Sequence, residues 1–170
     1  LIGLVGSEMC IRDRVCGSHD DLMFFTDTGR VFVKKAYEVP EASRTSAGRS
    51  VRQLLELKEN ESIVSMLALE DFRGSEQAPS GDLFFATRSG RVKRSALSEF
   101  KNINRSGLIA LNLNDGDALI GVVQTEPDDH VLLATEGGMA IRFQASDARS
   151  MGRSAACLLY TSPSPRDQSG

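Results

Sequence analysis

DLMFFTDTGRV at residues 21–31 returns without a gap as DLFFATRSGRV at 82–92, and more loosely as HVLLATEGGMA at 130–140. In each copy an apolar run meets a short polar turn, a glycine and a second run. Three polar residues ahead of Gly29 or Gly90 suit a hairpin loop in which the glycine takes a positive φ that other residues adopt only at a cost. A second unit recurs beside the first: LELKENESIVSML at 55–67 matches LNLNDGDALIGVV at 111–123, with acidic turn residues between two apolar stretches. The matched positions lie 61, 48 and 56 residues apart, the range of a propeller blade built from about four short strands.

The remaining sequence fits the same all-β, propeller-like array. Val, Ile, Leu and Phe gather in short runs bounded by Gly, Asp, Ser and Asn, as strands do. Helical period is confined to AYEV at 36–39, ALSEF at 96–100 and QASDA at 144–148, each long enough for a single turn only. The spacing predicts about two to three blades, the last one incomplete. An array with open edges is expected to be less stable than a closed one.

The two ends of the chain do not share this pattern. Glu8–Arg14 can be encoded by an oligonucleotide whose reverse complement, in a shifted frame, encodes Cys157–Ser162. Two ends of a natural protein have no reason to be related in that way, whereas the two ends of a DNA fragment flanked by one inserted oligonucleotide are. Residues 1–14 and 157–170 are therefore expected to be adapter-derived and disordered, with the protein proper at 15–156 and open at both ends. Residues 1–14 also lack the apolar run and small-residue cleavage site of a signal peptide.

Residues 15–156 carry 17 basic and 20 acidic residues and a single cysteine, Cys16, which excludes a disulfide framework or a cysteine zinc site. No apolar run approaches the roughly 18 residues of a membrane span. The net charge conceals an alternation. Residues 30–52 hold Arg30, Lys34, Lys35, Arg44, Arg49 and Arg52 against Glu38 and Glu41, and residues 88–105 hold Arg88, Arg91, Lys93, Arg94, Lys101 and Arg105 against Glu99. Residues 56–82 carry seven acids against Lys58 and Arg73, and residues 114–136 six acids and no base. In a radial array equivalent positions share an edge, so basic hairpins are expected to line one rim while acidic turns collect elsewhere. A basic rim without a repeated aromatic platform suits duplex phosphates better than stacked single-strand bases. Charge alone leaves that rim and a set of solvated strand ends equally open.

Catalytic chemistry has no visible constellation. His19 and His130 sit beside aspartates but lack a third matched ligand, which speaks against a metal. The DGD of Asp115–Asp117 lacks the closing glutamate of a calcium loop, and Gly137–Gly138 fits a hairpin turn better than a phosphate cradle. Tyr37 follows a strand and is expected to pack. Cys16 has no basic partner beyond His19 and is expected to be an unreactive small residue.

VKKAYEVPEASRTSAGR at 33–49, SGRVKRSALSEFKNINRSGLIALNLNDGDALIGV at 89–122 and EGGMAIRFQASDARSMGR at 136–153 closely resemble the C-terminal domain family of the bacterial DNA gyrase A protein, over residues 19–155. The resemblance implies a six-bladed β-pinwheel whose blades exchange strands, and an activity of wrapping duplex DNA around a basic rim in support of negative supercoiling. It implies no catalytic residue, metal or cofactor in this piece, the ATP and magnesium of the holoenzyme being bound elsewhere. Implied partners are duplex DNA, the gyrase B protein and the rest of the gyrase A protein, in the bacterial cytoplasm at the nucleoid, with no membrane. The DNA-contact candidates it implies are Arg30, Lys34, Lys35, Arg44, Arg49, Arg91, Lys93, Lys101, Arg105, Arg142 and Arg153. Period two in the strand after Gly90 puts Arg91 and Lys93 on one face, with Val92 and Arg94 on the other, so the first pair is expected to form the better phosphate clamp. Two departures stand out: the glutamine-arginine-glycine-lysine box of the gyrase domain is not in this sequence, and Met139 stands where the other hairpins have Arg30 and Arg91. The alternatives are the corresponding domain of topoisomerase IV and a protein-interaction propeller.

Overall fold

The computed structural model describes residues 15–43, 49–70, 72, 74, 80–153 and 155, together with the backbone of 158–159. Three hairpins form where the first repeat recurs. β1 (Asp21–Thr26) and β2 (Arg30–Lys35) make the first. After β3 (Ile63–Leu69), β4 (Asp82–Thr87) and β5 (Arg91–Ala96) make the second. After β6 (Leu108–Ile109) and β7 (Leu119–Thr125), β8 (His130–Ala134) and β9 (Ala140–Gln144) make the third.

The hairpins share one turn chemistry. Gly29, Gly90 and Gly138 donate their N–H to the carbonyls of Thr26, Thr87 and Thr135, each at 3.0 Å, with φ of 80°, 76° and 78°. One residue further on, the backbone N–H of Arg30, Arg91 or Met139 donates to the same threonine's hydroxyl, at 3.1, 3.3 and 3.2 Å. Each threonine thus closes the turn twice, which is why the three sequences align on it. The three short helical segments foreseen are 3₁₀ turns at Ala36–Glu38, Leu97–Phe100 and Ala145–Asp147. A fourth, Val51–Gln53, is capped by the Ser50 hydroxyl.

The sheets are assembled by exchange. β3 returns to pair with β1, but the fourth strand on the far edge of β2 is β6, which follows the second hairpin in sequence and pairs Leu108 with Val31 and Ile109 with Arg30. The second blade repeats this: β7 pairs with β4, and β10 (Leu158–Leu159) pairs Leu158 with Val92 and Leu159 with Arg91. Two four-stranded blades and a third hairpin result. The ends were expected to lie outside the fold; residues 1–14 and 160–170 lie outside the described residues, while the backbone of 158–159 takes the edge of β5. That edge offers unpaired N–H and C=O groups to any extended segment tethered nearby.

Stacking buries both faces of the central blade. Leu83 and Phe85 join Met23, Phe25, Val31 and Val33 of the first blade in the largest cluster, where the Phe25 and Phe85 rings meet edge-on at 5.8 Å. Phe84 and Val92, on the opposite face, pack on Val131 and Phe143 of the third hairpin. The outer face of the first blade, with Leu22, Phe24 and Phe32, is covered by Leu55 and by Val39, Val51 and Leu54. Near the inner edges the Val122 N–H of β7 donates to the Ser65 hydroxyl of β3 at 2.9 Å, joining the first two blades. No helix among the described residues is long and apolar enough to cross a membrane.

Candidate nucleic-acid interface

The acidic turns do not collect away from the hairpins. Glu61, in the turn before β3 and 2 % exposed, accepts the Thr26 and Thr28 hydroxyls at 2.7 Å each, the Lys58 N–H at 2.9 Å and the Arg30 guanidinium at 2.7 Å. Asp117, fifty-six residues on and in the same place before β7, accepts the Ser89 N–H at 3.0 Å, the Ser89 hydroxyl at 2.6 Å and the Ala118 N–H at 2.9 Å. Because β3 pairs with β1 and β7 with β4, the turn leading into each inner strand folds over a hairpin tip and staples it. Burial alone would raise both carboxyls. The Lys58 N–H, the Thr26 and Thr28 hydroxyls and Arg30 outweigh it and hold Glu61 below its ordinary value. At Asp117 the Ser89 and Thr87 hydroxyls and the Ser89 and Ala118 N–H groups outweigh it, and the carboxyl falls to about 2.

Several of the basic residues singled out in the sequence face inward. Lys93 is 1 % exposed; its ammonium donates to the Ala110 carbonyl at 3.1 Å and to the Arg153 carbonyl, and lies 5.9 Å from the centroid of the Phe85 ring. The expected Arg91–Lys93 clamp is therefore corrected: Lys93 cannot reach a phosphate. Period two marks a wet face only where a strand has one, and at Lys93 and Arg94 both faces of β5 meet protein. Arg94, on the other face, is held by Asp82 at 3.0 Å and by the Ala148 carbonyl. Arg30 is taken up by Glu61, by the Ser106 carbonyl and by the Phe32 ring at 4.6 Å. Lys35 pairs with buried Asp21 at 3.1 Å, and Lys34 with Glu38 at 3.3 Å.

The outward set is smaller and more regular. Arg49, Arg105 and Arg142 are exposed, while Arg91, Lys101 and Arg153 are half-buried. Arg44 lies outside the described residues. Arg49, Arg105 and Arg153 each precede a serine, and they are separated by 56 and 48 residues, the spacings of the repeats themselves. The Arg105 loop leads into β6 and the Arg153 loop into β10. The latter loop is also fixed by Glu99, whose carboxylate accepts the Arg153 N–H at 2.6 Å and whose carbonyl accepts its guanidinium at 3.2 Å. Arg88, from the basic run at 88–105, and Arg149 are exposed as well. Arg88 occupies a turn position held by Asp27 and Glu136 in the other copies, and Arg149 follows its 3₁₀ turn where Lys101 follows the preceding one, 48 residues earlier. His19 and Tyr37 stack edge-on at 5.9 Å. Among the described residues no three His, Cys, Asp or Glu side chains are grouped to hold a metal ion.

The profile of a family described as DNA gyrase C-terminal domain, beta-propeller, matches residues 20–70, 81–126 and 129–156. The DNA gyrase A protein of Deinococcus deserti is 46% identical over 140 residues, 82% of this chain and 17% of that protein. The DNA gyrase A protein of Mycolicibacterium smegmatis is 42% identical over 153 residues, 89% of this chain and 18% of that protein. The chain thus spans under a fifth of the length of these curated relatives. Among solved structures, a C-terminal domain of DNA topoisomerase IV superposes with a TM-score of 0.74 at 25% identity, over 87% of this chain and 45% of that one. A DNA gyrase A C-terminal domain superposes with a TM-score of 0.65 at 22% identity, over 92% of this chain and 50% of that one. The superpositions bear on shape; the higher sequence identities are to gyrase A proteins.

Proposed function

Since the chain belongs to the DNA gyrase C-terminal domain family, we propose that it binds duplex DNA by its phosphate backbone, as part of a gyrase A protein that wraps DNA for negative supercoiling. The observation that carries this is the recurrence of Arg49, Arg105 and Arg153 at the repeat spacings of 56 and 48 residues, the last two on loops that run from a hairpin to the edge strands β6 and β10. A cation presented once per blade matches a ligand whose charge is itself periodic, and a phosphate backbone is such a ligand. Arg88, Arg91, Arg142 and Arg149 would add to the field around those loops. Strand cleavage and ATP hydrolysis, with any ATP or magnesium, are assigned to other parts of the parent protein and to its gyrase B partner, in the bacterial cytoplasm.

Wrapping depends on backbone charge and on the cost of bending rather than on base edges. Two mixed-sequence duplexes of equal length and unrelated sequence are therefore expected to bind with the same affinity within a few-fold, and affinity should fall steeply with salt, by about 0.9 log units per log unit of salt for each neutralised phosphate. Fluorescence anisotropy at low salt measures both. Failure to bind either duplex at low salt would turn the assignment toward a protein-interaction propeller.

A further inference from the structure

Two of the inward-facing cations end on the same kind of group. The Arg30 guanidinium donates to the carbonyl of Ser106, next to Arg105, and the Lys93 ammonium donates to the carbonyl of Arg153. In both cases the cation belongs to the second strand of a hairpin, and the loop it holds follows the next hairpin in sequence. The two cations are not at matching positions: the residue matching Lys93 in the first blade is Phe32, whose ring lies under Gly107 of the Arg105 loop. The chain therefore reaches the same outcome by two routes. In the first blade the ring supports the loop and Arg30 fastens it, with Glu61 orienting the guanidinium at 2.7 Å. In the second blade Lys93 replaces the ring and fastens the loop directly, while also gripping the Ala110 carbonyl just beyond β6 at 3.1 Å.

We propose that Arg30 and Lys93 are positioning residues for DNA binding: they fix, through backbone carbonyls, the loops that present Arg105 and Arg153, and do not touch DNA themselves. The proposal rests on the phosphate-contact reading of those two arginines. An arginine on an unfastened loop must be ordered at the moment of binding, and that ordering subtracts from affinity. Because each cation sits in one blade and its loop comes from the next segment, adjacent blades would be coupled in how they present charge.

A double-mutant cycle tests this. Native protein, Lys93→Met, Arg153→Ala and the double variant are titrated with one mixed-sequence duplex across a salt series, with folding checked by circular dichroism. Methionine keeps the length and apolar stem of Lys93 without its charge. Arg153→Ala is expected to weaken binding about fivefold or more and to lower the log–log salt slope by about one. Lys93→Met should give much of the same loss, including the slope change, although its side chain is buried; the double variant should be no worse than Arg153→Ala. Losses that multiply in the double variant would overturn the proposal, since Lys93 would then act through general stability. No effect of Arg153→Ala would instead overturn the phosphate-contact reading beneath it. Should Lys93→Met fail to fold, the cycle of Arg30→Lys with Arg105→Ala decides by the same criteria, because lysine keeps the charge but cannot span Glu61 and Ser106 together.

Discussion

Glu61→Ala is expected to lower the unfolding free energy by about 3–5 kcal/mol, the cost of breaking a buried, hydrogen-bonded ion pair by removing one partner. The substitution strips the acceptor from the Thr26 and Thr28 hydroxyls, the Lys58 N–H and the Arg30 guanidinium at once. Arg30 is then left half-buried, and the first hairpin tip loses its staple to β3. Glu61→Gln, which keeps the shape and one carbonyl acceptor, should cost less than half as much. Urea denaturation at neutral pH distinguishes these outcomes; a loss below about 1 kcal/mol for alanine would show that Glu61 behaves as a surface pair. The same staples set an acid limit. Their folded-state pKa values are depressed, so below neutrality the unfolded chain takes up protons that the folded chain does not. Their contribution is complete above the unfolded carboxylate range, from the ordinary values of 4.5 and 3.8, and is lost as pH falls toward about 2, where Asp117 titrates.

Gly107→Ala should be comparably damaging, at about 2–5 kcal/mol, because two costs coincide. The residue has φ +80, and a Cβ there would lie 2.8 Å from Cε1 of the Phe32 ring. A left-handed backbone costs an alanine roughly 1–2 kcal/mol, and overpacking a filled core about 1–3 more. The ring cannot retreat, since Phe32 is 1 % exposed; the strain would be relieved by lifting the Arg105 loop and, with it, β6 from the edge of β2. Gly90→Ala provides the comparison. Its φ is +76 but nothing lies within 4 Å of an added Cβ, so only the backbone cost should appear. Thermal or urea denaturation of the two variants isolates the steric part. Equal destabilisation would mean that Phe32 and Gly107 are not in close contact.

The three hairpins were legible because their information is local. A threonine that closes its own turn twice, with a glycine at positive φ, leaves the same mark in sequence wherever it occurs. Strand exchange was legible only through family resemblance: β6 and β10 are two residues long, too short for period two to register. The reading of the charges failed where it treated the strands as having one wet face. Lys93 and Arg94 follow one another in β5 and point to opposite faces, yet both are turned to protein, because at β5 a neighbouring segment covers each face. Glu61 and Asp117 were counted as charges set apart from the hairpins. Their 56-residue match was visible, but their partners Thr28 and Ser89 come into reach only once β3 is paired with β1 and β7 with β4. Arg49, Arg105 and Arg153 entered as candidates through the family resemblance; their 56- and 48-residue spacing is itself visible in the sequence.

The central claim is that those repeated arginines meet the phosphate backbone of duplex DNA. The most direct test is the salt dependence of binding to a mixed-sequence duplex, measured for the native chain and for a variant carrying Arg49→Ala, Arg105→Ala and Arg153→Ala, at temperatures where both are folded. The log–log slope should fall by about three units, roughly 0.9 for each lost phosphate contact, with affinity lost alike on duplexes of unrelated sequence. A slope that stays within about half a unit of the native value would contradict the claim and place the DNA contacts elsewhere on the chain.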